Sequence, residues 1–434
     1  MIQIMKASDF KAVQAARAPG QESVSAIVAE IIADVIKRGD AALREYTEKL
    51  DGCTLDSFEV TPAEIDAAMD EAGPEFVETM RRAAGNIEDF HRRQIRHGFV
   101  MTPGNGIVLG QRILTISRVG QYMPGGTAAY PSTVLMNCIP AKLAGVGEII
   151  MATPPSKDGS VNAGILAAAR LSGADRIFKI GGAQAIAAMA YGTETIPQVY
   201  KITGPGNAYV AEAKRQVFGI VGIDMIAGPS DVLIIADDSA DPELLAADML
   251  SQCEHGADSP AVLITDSASL AGKVSAQIEA QLPMLPRGNT AREAIDKHGR
   301  IIIAESLEEA FSISNYLAPE HLEIFLDKAF SYLDRVHNAG SVFLGKSTPE
   351  AVSDYYAGPN HTLPTSGTAR FSGPLSVDDF TKKSSFTYYS EDALENAAAD
   401  IIRFAEKEGL TAHAESVSKR LQREGERGER KEES

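Results

Sequence analysis

Cysteine, long apolar runs and an excess of basic residues are all lacking in this chain. Its 3 cysteines among 434 residues, Cys53, Cys138 and Cys253, are far apart and odd in number, which argues against a disulfide framework and for a reducing cytoplasm. No apolar run approaches the roughly 18 residues that span a bilayer, and residues 1–9 lack the apolar core of a signal peptide. The net charge of -18 argues against nucleic acid or an anionic membrane as the main partner.

The composition is that of an ordinary globular protein, with 44% hydrophobic and 23% charged residues in a chain long enough for two or three domains. Short apolar runs bounded by Gly and Pro alternate with Ala-rich helical stretches, which predicts an α/β fold with parallel sheets covered on both faces. The runs are residues 149–152, 177–180, 232–236, 261–265 and 301–303.

Helices are predicted at both ends of the chain. An apolar stripe predicts an amphipathic helix from about residue 23 to 38, followed by more helix through His91. A last helical segment should begin near Ser390 and break at Gly409. The charged tail from Arg423 to Ser434 has no apolar face, and we expect it to be solvated.

Three glycine-rich turns stand where an α/β fold binds phosphates or nucleotides. They are residues 122–127, 181–184 and 204–207. Glycine lets the backbone approach a pyrophosphate closely, and a following helix N-terminus favours an anion. The first and third turns lack the G-x-G-x-x-G dinucleotide pattern, so ordinary strand-to-helix turns explain the residues equally well.

Gln252 and His255 close a well-marked helix that Asp241 can cap, that Pro242 begins and that Gly256 follows. Residues three apart project from one helix face, so the amide and the imidazole can converge on a metal ion. A surface contact or a plain hydrogen bond explains the pair as well. Cys253 lies one position off that face, which favours a packed thiol over a ligand.

The chain has 8 histidines, and three more of them lie in polar segments punctuated by Gly and Pro: His321, His361 and His413. Such segments resemble loops that carry catalytic groups on a rigid scaffold. Glu320 directly precedes His321, and the pair predicts either acid–base chemistry or helix capping. The remaining four sit among charged residues and are interpreted as solvated surface histidines: His91, His97, His298 and His337.

Several longer motifs resemble those of the histidinol dehydrogenase family, from end to end of the chain apart from the charged tail. They are residues 226–233, 246–251, 254–256, 318–322, 340–345 and 360–365. One departure is Asp231, where the family usually has Glu. Asp keeps the negative charge of Glu and shortens only the side chain, so the resemblance is little affected.

The resemblance implies a fold and an assembly. It implies two incomplete Rossmann-like domains with parallel sheets plus small N- and C-terminal helical segments. The expected division is a small segment at 1–22, a first domain at 23–121 with 232–375, a second at 122–231 that carries the NAD contacts, and a C-terminal segment at 376–434. The family is a homodimer of intertwined subunits, so Glu408 and His413 would complete the partner's site.

The resemblance also implies the reaction and its residues. The family oxidises L-histidinol to L-histidine through L-histidinaldehyde, with two NAD+ and one zinc ion per subunit, and the zinc grips the substrate nitrogens. The implied zinc ligands, which also contact the substrate, are Gln252, His255, Asp354 and His413. Further implied substrate contacts are Ser230, His321, His361 and Glu408. The implied acid–base pair is Glu320 and His321, and the implied NAD contacts are Tyr122, Gln184 and Asn207.

The chemistry of these residues fits that reading. Imidazole, carboxylate and amide ligands suit zinc without a thiolate. His321 can serve as base towards an alcohol or hydrate, and Glu320 towards a water. Three alternatives remain: a related dehydrogenase of another small hydroxylated compound, a zinc hydrolase in which Glu320 activates water, and a non-catalytic zinc or nucleotide-binding protein. The matching substrate and NAD positions favour histidinol.

Overall fold

The computed structural model describes residues 1–10, 24–125 and 130–432. The strands are β1 (Gln3–Lys6), β2 (Phe99–Gly104), β3 (Ile107–Thr115), β4 (Arg118–Tyr122), β5 (Glu148–Thr153), β6 (Arg176–Lys179), β7 (Lys201–Thr203), β8 (Gly222–Ile223), β9 (Val232–Ala236), β10 (Ala261–Thr265), β11 (Arg300–Ile303), β12 (His321–Phe325), β13 (Ser341–Leu344) and β14 (Thr381–Tyr389).

The longer helices are α1 (Ser25–Arg38), α2 (Asp40–Tyr46), α3 (Pro62–Ala72), α4 (Pro74–Arg92), α5 (Pro131–Leu143), α6 (Ala163–Ser172), α7 (Gly182–Tyr191), α8 (Ala208–Val217), α9 (Pro242–Cys253), α10 (Ala268–Gln281), α11 (Gly288–His298), α12 (Leu307–Leu317), α13 (Glu391–Lys407) and α14 (Thr411–Glu432). Shorter helical turns include Glu350–Val352 and Ser353–Ala357. The chain forms two compact units, Met1–Ile95 with Thr115–Phe380, and Arg96–Leu114 with Thr381–Ser434.

A six-stranded parallel sheet in the first unit has the order β1-β11-β10-β9-β12-β13. Its central strand β9 is buried along its whole length, because helices α9 to α11 pack on one face and α12 on the other. A strand covered on both faces needs a continuous apolar run, and this explains why residues 232–236 predict a strand so clearly.

A five-stranded parallel sheet in the same unit has the order β6-β5-β4-β7-β8. One face packs against α1, α7 and α8, and the other against α3 to α6. The chain runs from β4 outwards through β5 to β6, and returns on the other side of β4 as β7 and β8. The strand order therefore reverses between β4 and β7, which is the place where open α/β sheets bind ligands.

These two sheets confirm the predicted α/β fold, although two segments join other partners than expected. Helices α1 to α4 pack with helices of the five-stranded sheet, whereas we expected residues 23–121 with residues 232–375. Strand β1, in the expected small N-terminal segment, pairs in register with β11. The domain boundaries themselves stay a prediction.

The helix predicted at residues 23–38 is confirmed as α1, although residue 23 lies outside the described residues. Gly39 follows it with a φ of +53°, a conformation that glycine adopts without strain. Within residues 1–10, 24–125 and 130–432, no helix is long and apolar enough to cross a membrane.

The second unit contains a three-stranded sheet in the order β14-β3-β2, in which β2 and β3 are antiparallel. The sequence does not predict this sheet, because β2 and most of β14 are exposed and carry no buried apolar run. Helix α13 confirms the predicted last helix, since Ser390 caps its start and Gly409 follows its end with a φ of +74°. The backbone of α14 continues helically through Glu432, and the solvation of the charged tail stays a prediction.

Candidate active site

A cavity of about 430 Å³ in the first unit collects most of the predicted site residues. The carboxyl ends of β4 and β7 and the amino ends of β9 and β12 border it. Its predicted lining residues are Tyr122, Asn207, Ser230, Gln252, His255, Glu320, His321, Asp354 and His361. The cavity therefore brings together residues that lie up to about 240 positions apart in the sequence, at an edge where ligands commonly bind.

His321 begins β12 and has a fixed tautomer. Its Nδ1 lies 2.9 Å from the carbonyl oxygen of Asp231, and because a carbonyl only accepts, Nδ1 carries the proton. Nε2 is buried, has no hydrogen-bond partner among the described residues, and lies 3.8 Å from Oδ1 of Asp354. Burial lowers the pKa of His321, so its neutral form is favoured. The geometry leaves Nε2 free to accept a proton.

Glu320 and Asp231 form two reciprocal hydrogen bonds, each from the backbone N–H of one residue to the carboxylate of the other. The N–H of Asp231 donates to Oε2 of Glu320 at 3.1 Å, and the N–H of Glu320 donates to Oδ1 of Asp231 at 3.1 Å. Burial, followed by the charges of Asp231 and Asp354, raises the pKa of Glu320 well above its usual value, while a hydrogen bond from Ser230 opposes the shift. A carboxyl group with a raised pKa is a stronger base once ionised. Asp231 thus both accepts from the backbone of Glu320 and contributes to the raised pKa of its carboxyl group.

Gln252, His255 and Asp354 reach the cavity from two elements. Helix α9 ends at Cys253, so His255 lies in the turn beyond the helix rather than on its last face. Gln252 is 1% exposed, and its Nε2 has no partner among the described residues. Within residues 1–10, 24–125 and 130–432, no group of three His, Cys, Asp or Glu side chains forms a metal site by itself.

The donor set nevertheless fits a zinc ion. An amide oxygen, an imidazole nitrogen and a carboxylate oxygen are all zinc donors, and the three residues face one cavity. Zinc would bind the amide oxygen of Gln252, whereas the amide nitrogen Nε2, buried without a partner among the described residues, is a donor that a bound substrate could satisfy. The neighbouring Cys253 is buried and unpaired with another cysteine, which fits a packed thiol.

His361 is anchored at both ring nitrogens. Nδ1 lies 2.9 Å from the carbonyl oxygen of Asp354, and Nε2 lies 3.1 Å from Oγ1 of Thr133, which the sequence reasoning missed. The preceding Asn360 donates to the carbonyl of Met136 at 2.6 Å. The loop that carries His361 is therefore tied to α5.

His91 is a buried residue, so its prediction as a surface histidine was wrong. It is 0% exposed, its Nδ1 lies 2.7 Å from Oε1 of Gln94, and its Nε2 lies 3.5 Å from Nδ2 of Asn360. Charged neighbours in sequence point away from it, whereas Ile87, one helical turn earlier, shares its buried face. That spacing is the signal that could have placed His91. His97 and His337 are exposed as predicted, and His298 is partly exposed.

The glycine-rich turns meet at the carboxyl end of β4. The hydroxyl of Tyr122 accepts a hydrogen bond from the N–H of Gly182 at 3.0 Å, and burial raises the pKa of Tyr122 to about 12. Oδ1 of Asn207 caps α8. Gln184 is not among the residues that line the cavity. Its side chain is buried, and its Oε1 has no partner among the described residues. Residues 126 and 127 of the first turn lie outside the described residues.

The sequence model of the histidinol dehydrogenase family matches residues 15–421. The chain belongs to the histidinol dehydrogenase family. Histidinol dehydrogenase of Clostridium acetobutylicum is 52% identical over 404 residues, which are 93% of this chain and 94% of that protein. That of Streptococcus mutans is 53% identical over 397 residues, 92% of each chain. The crystal structure of the Elizabethkingia anophelis enzyme has a TM-score of 0.92 and 40% identity, covering 98% of this chain and 99% of that one.

Membership of the histidinol dehydrogenase family makes the chain an enzyme, an oxidoreductase of histidine biosynthesis. It also confirms the resemblance seen in the sequence motifs. The predicted roles of individual residues stay predictions, because the match is to whole chains.

Two buried acids behind His321 were missed by the sequence reasoning. Oε2 of Glu350 lies 3.8 Å from Nδ1 of His321, and Ser251 donates to Oε1 of Glu350 at 3.1 Å. Oε1 of Glu323 accepts from the N–H of Glu350 at 2.9 Å. Burial raises the pKa of both glutamates. Glu323 interrupts the apolar strand β12, and a charged residue inside a buried strand was the available signal.

Glu408 and His413 belong to the second unit. Glu408 caps the end of α13, His413 lies in the first turn of α14, and both are exposed. That Glu408 and His413 complete the active site of a partner subunit stays a prediction.

Proposed function

We propose that this enzyme oxidises L-histidinol to L-histidine through L-histidinaldehyde, using two NAD+ and one zinc ion per subunit. The observation that carries the proposal is His321, whose Nδ1 is held by the carbonyl of Asp231 while its Nε2 has no partner among the described residues and lies 3.8 Å from Oδ1 of Asp354. A neutral imidazole with one free nitrogen is a general base ready for an alcohol proton.

The first oxidation requires the hydroxyl proton to leave as hydride departs from the same carbon. Nε2 of His321 takes this proton. The resulting imidazolium lies 3.8 Å from the carboxylate of Asp354, and the negative charge of that carboxylate stabilises it.

The second oxidation requires water to add to the aldehyde carbonyl first. Glu320, in its ionised form, takes a proton from this water as the oxygen attacks. His321, protonated in the first oxidation, returns its proton to the carbonyl oxygen as the hydrate forms. The neutral imidazole then takes a hydroxyl proton of the hydrate as the second hydride leaves. Two adjacent groups with different shifts in pKa thus divide the proton transfers between them.

Gln252, His255 and Asp354 would hold the zinc ion, with His413 supplied by a second subunit. When bound, zinc supplies a fixed point that orients the amino and imidazole nitrogens of the substrate. Ser230, His361 and Glu408 complete the proposed substrate contacts. His361 lines the same cavity, and the carbonyl of Asp354 and the hydroxyl of Thr133 set the orientation of its ring.

NAD+ would bind at the reversal of strand order between β4 and β7, with contacts from Tyr122, Asn207 and Gln184. The unpaired Oε1 of Gln184 and the turns at residues 181–184 and 204–207 support this position. We also propose a cytoplasmic homodimer, and the three free, buried cysteines agree with a reducing compartment.

A panel of alcohols, aldehydes and hydrolysable esters or amides tests the proposal, with NAD+ present and reduced nicotinamide recorded. We expect reduction with L-histidinol and L-histidinaldehyde only. Reduction with another hydroxylated compound and none with L-histidinol would indicate a related dehydrogenase. Hydrolysis without NAD+ would indicate a zinc hydrolase.

A further inference from the structure

A lysine and an aspartate form a fully buried ion pair beside the cavity. Lys214 of α8 is 1% exposed, and its ammonium group pairs with Oδ1 of Asp224, which follows β8. Neither residue belongs to the reacting groups proposed above. Burying two charges costs desolvation free energy, so such a pair seldom adds net stability. It therefore requires an explanation other than stability.

Both members of the ion pair also form hydrogen bonds with one residue of the glycine-rich turn at 204–207. Nζ of Lys214 donates to the carbonyl oxygen of Gly204 at 2.9 Å. Oδ2 of Asp224 accepts from the N–H of Gly204 at 2.7 Å. One buried ion pair therefore fixes both the N–H and the carbonyl oxygen of Gly204.

The turn has no space in which to shift towards the sheet. Gly204 has a φ of +112°, and a Cβ atom there would lie 2.0 Å from the carbonyl oxygen of Tyr122. The turn continues through Pro205 and Gly206 to Asn207, and all four residues line the cavity. The ion pair holds from behind the turn that presents Asn207.

We propose that Lys214 and Asp224 are positioning residues for NAD+. They hold the backbone of the turn at 204–207 in the position in which it can contact the dinucleotide. The inference rests on the proposed function, because it takes the reversal between β4 and β7 as the NAD+ site. A buried pair with two hydrogen bonds to one residue defines that residue's position more sharply than apolar packing does.

The double variant Lys214→Met with Asp224→Asn removes both charges, so that no uncompensated charge remains buried. The amide oxygen of the introduced asparagine can still accept from the N–H of Gly204, whereas the introduced methionine leaves the carbonyl of Gly204 without its donor. We expect the KM and the calorimetric Kd for NAD+ to rise roughly tenfold or more, since small misplacements weaken oriented contacts. The KM for L-histidinol and the zinc content should remain within about twofold.

Arg176→Met is the matched control. Arg176 pairs with Glu59 through two hydrogen bonds of 2.8 and 2.7 Å at the amino end of β6, the opposite edge of the same sheet. The control loses an ion pair of the five-stranded sheet without touching the turn. We expect it to leave both KM values unchanged.

The outcomes separate the inference from the proposed function. Wild-type enzyme that does not bind NAD+ in calorimetry would overturn both. Wild-type enzyme that binds NAD+, together with a double variant that binds it equally well, would overturn the inference alone. A parallel rise in both KM values, or the same change in Arg176→Met, would show a merely structural role and would also overturn it.

Discussion

Replacing Asn360 by alanine should weaken both the fold around the site and the binding of L-histidinol. The amide of Asn360 donates to the carbonyl of Met136 at 2.6 Å and accepts from the N–H of Thr362 at 2.9 Å. At 2% exposure, the side chain keeps water from both groups. These hydrogen bonds fix the backbone on both sides of His361, whose Nδ1 binds the carbonyl of Asp354.

The size of the effect follows from the two groups that lose their partner. A buried, unpaired backbone group costs about 1–3 kcal/mol, so the two together should reduce the free energy of unfolding by about 2–6 kcal/mol. The displaced His361 should raise the KM for L-histidinol roughly tenfold, because a contact with the substrate loses its orientation. Differential scanning calorimetry and steady-state kinetics measure the two effects.

Asn315→Ala is the matched control for this experiment. The side chain of Asn315 donates to the carbonyl of Arg335 at 2.8 Å and accepts from the N–H groups of His337 and Asn338 at 2.7 and 3.2 Å. The site is partly exposed, so water can replace these bonds, and we expect a loss of about 1 kcal/mol with no change in KM. An Asn360→Ala enzyme with the melting temperature and KM of the wild type would show that these two hydrogen bonds neither stabilise the fold nor orient His361.

Further variants test the proton transfers, the metal and the assembly. Glu320→Gln should slow oxidation of L-histidinaldehyde by about 10²–10⁴-fold and affect the first oxidation less, as single-turnover rates with each substrate would show; equal losses would contradict the division of roles. His255→Ala should lose stoichiometric zinc by elemental analysis while its circular dichroism stays that of the wild type, and full zinc content would exclude it as a ligand. Mixing inactive His321→Ala and His413→Ala enzymes should restore activity, because each mixed dimer would contain one intact site; verified heterodimers without activity would show that His413 serves its own subunit. Deleting residues 423–434 should leave activity unchanged, and a loss would reveal a role for the tail.

Sequence patterns predict the fold where burial is continuous and fail where it is not. The apolar runs at 232–236 and 261–265 predict strands because both faces of the sheet are covered there. Strand β2 escapes prediction because all of its residues are exposed, so no periodicity marks an inner face. Strand β1 escapes because four residues are too few for a pattern, and only pairing with β11 makes them a strand.

The site shows a similar division. Residues that stand in distinctive motifs, such as Gln252 and His321, could be selected from the sequence with the help of the family resemblance. Supporting residues could not, because their roles depend on contacts between distant parts of the chain: Asn360 contacts Met136 224 positions away, and Glu350 meets Glu323 across a loop. His91 was misplaced because its sequence neighbours are charged, although helical spacing puts it with Ile87 on the buried face.

Counting the NADH molecules formed per L-histidinol consumed decides whether one site carries out both oxidations. If His321 and Glu320 together carry both oxidations in one site, limiting L-histidinol with excess NAD+ should give two NADH and one L-histidine, with little free aldehyde. One NADH per L-histidinol, with L-histidinaldehyde accumulating in solution, would contradict the two-step account.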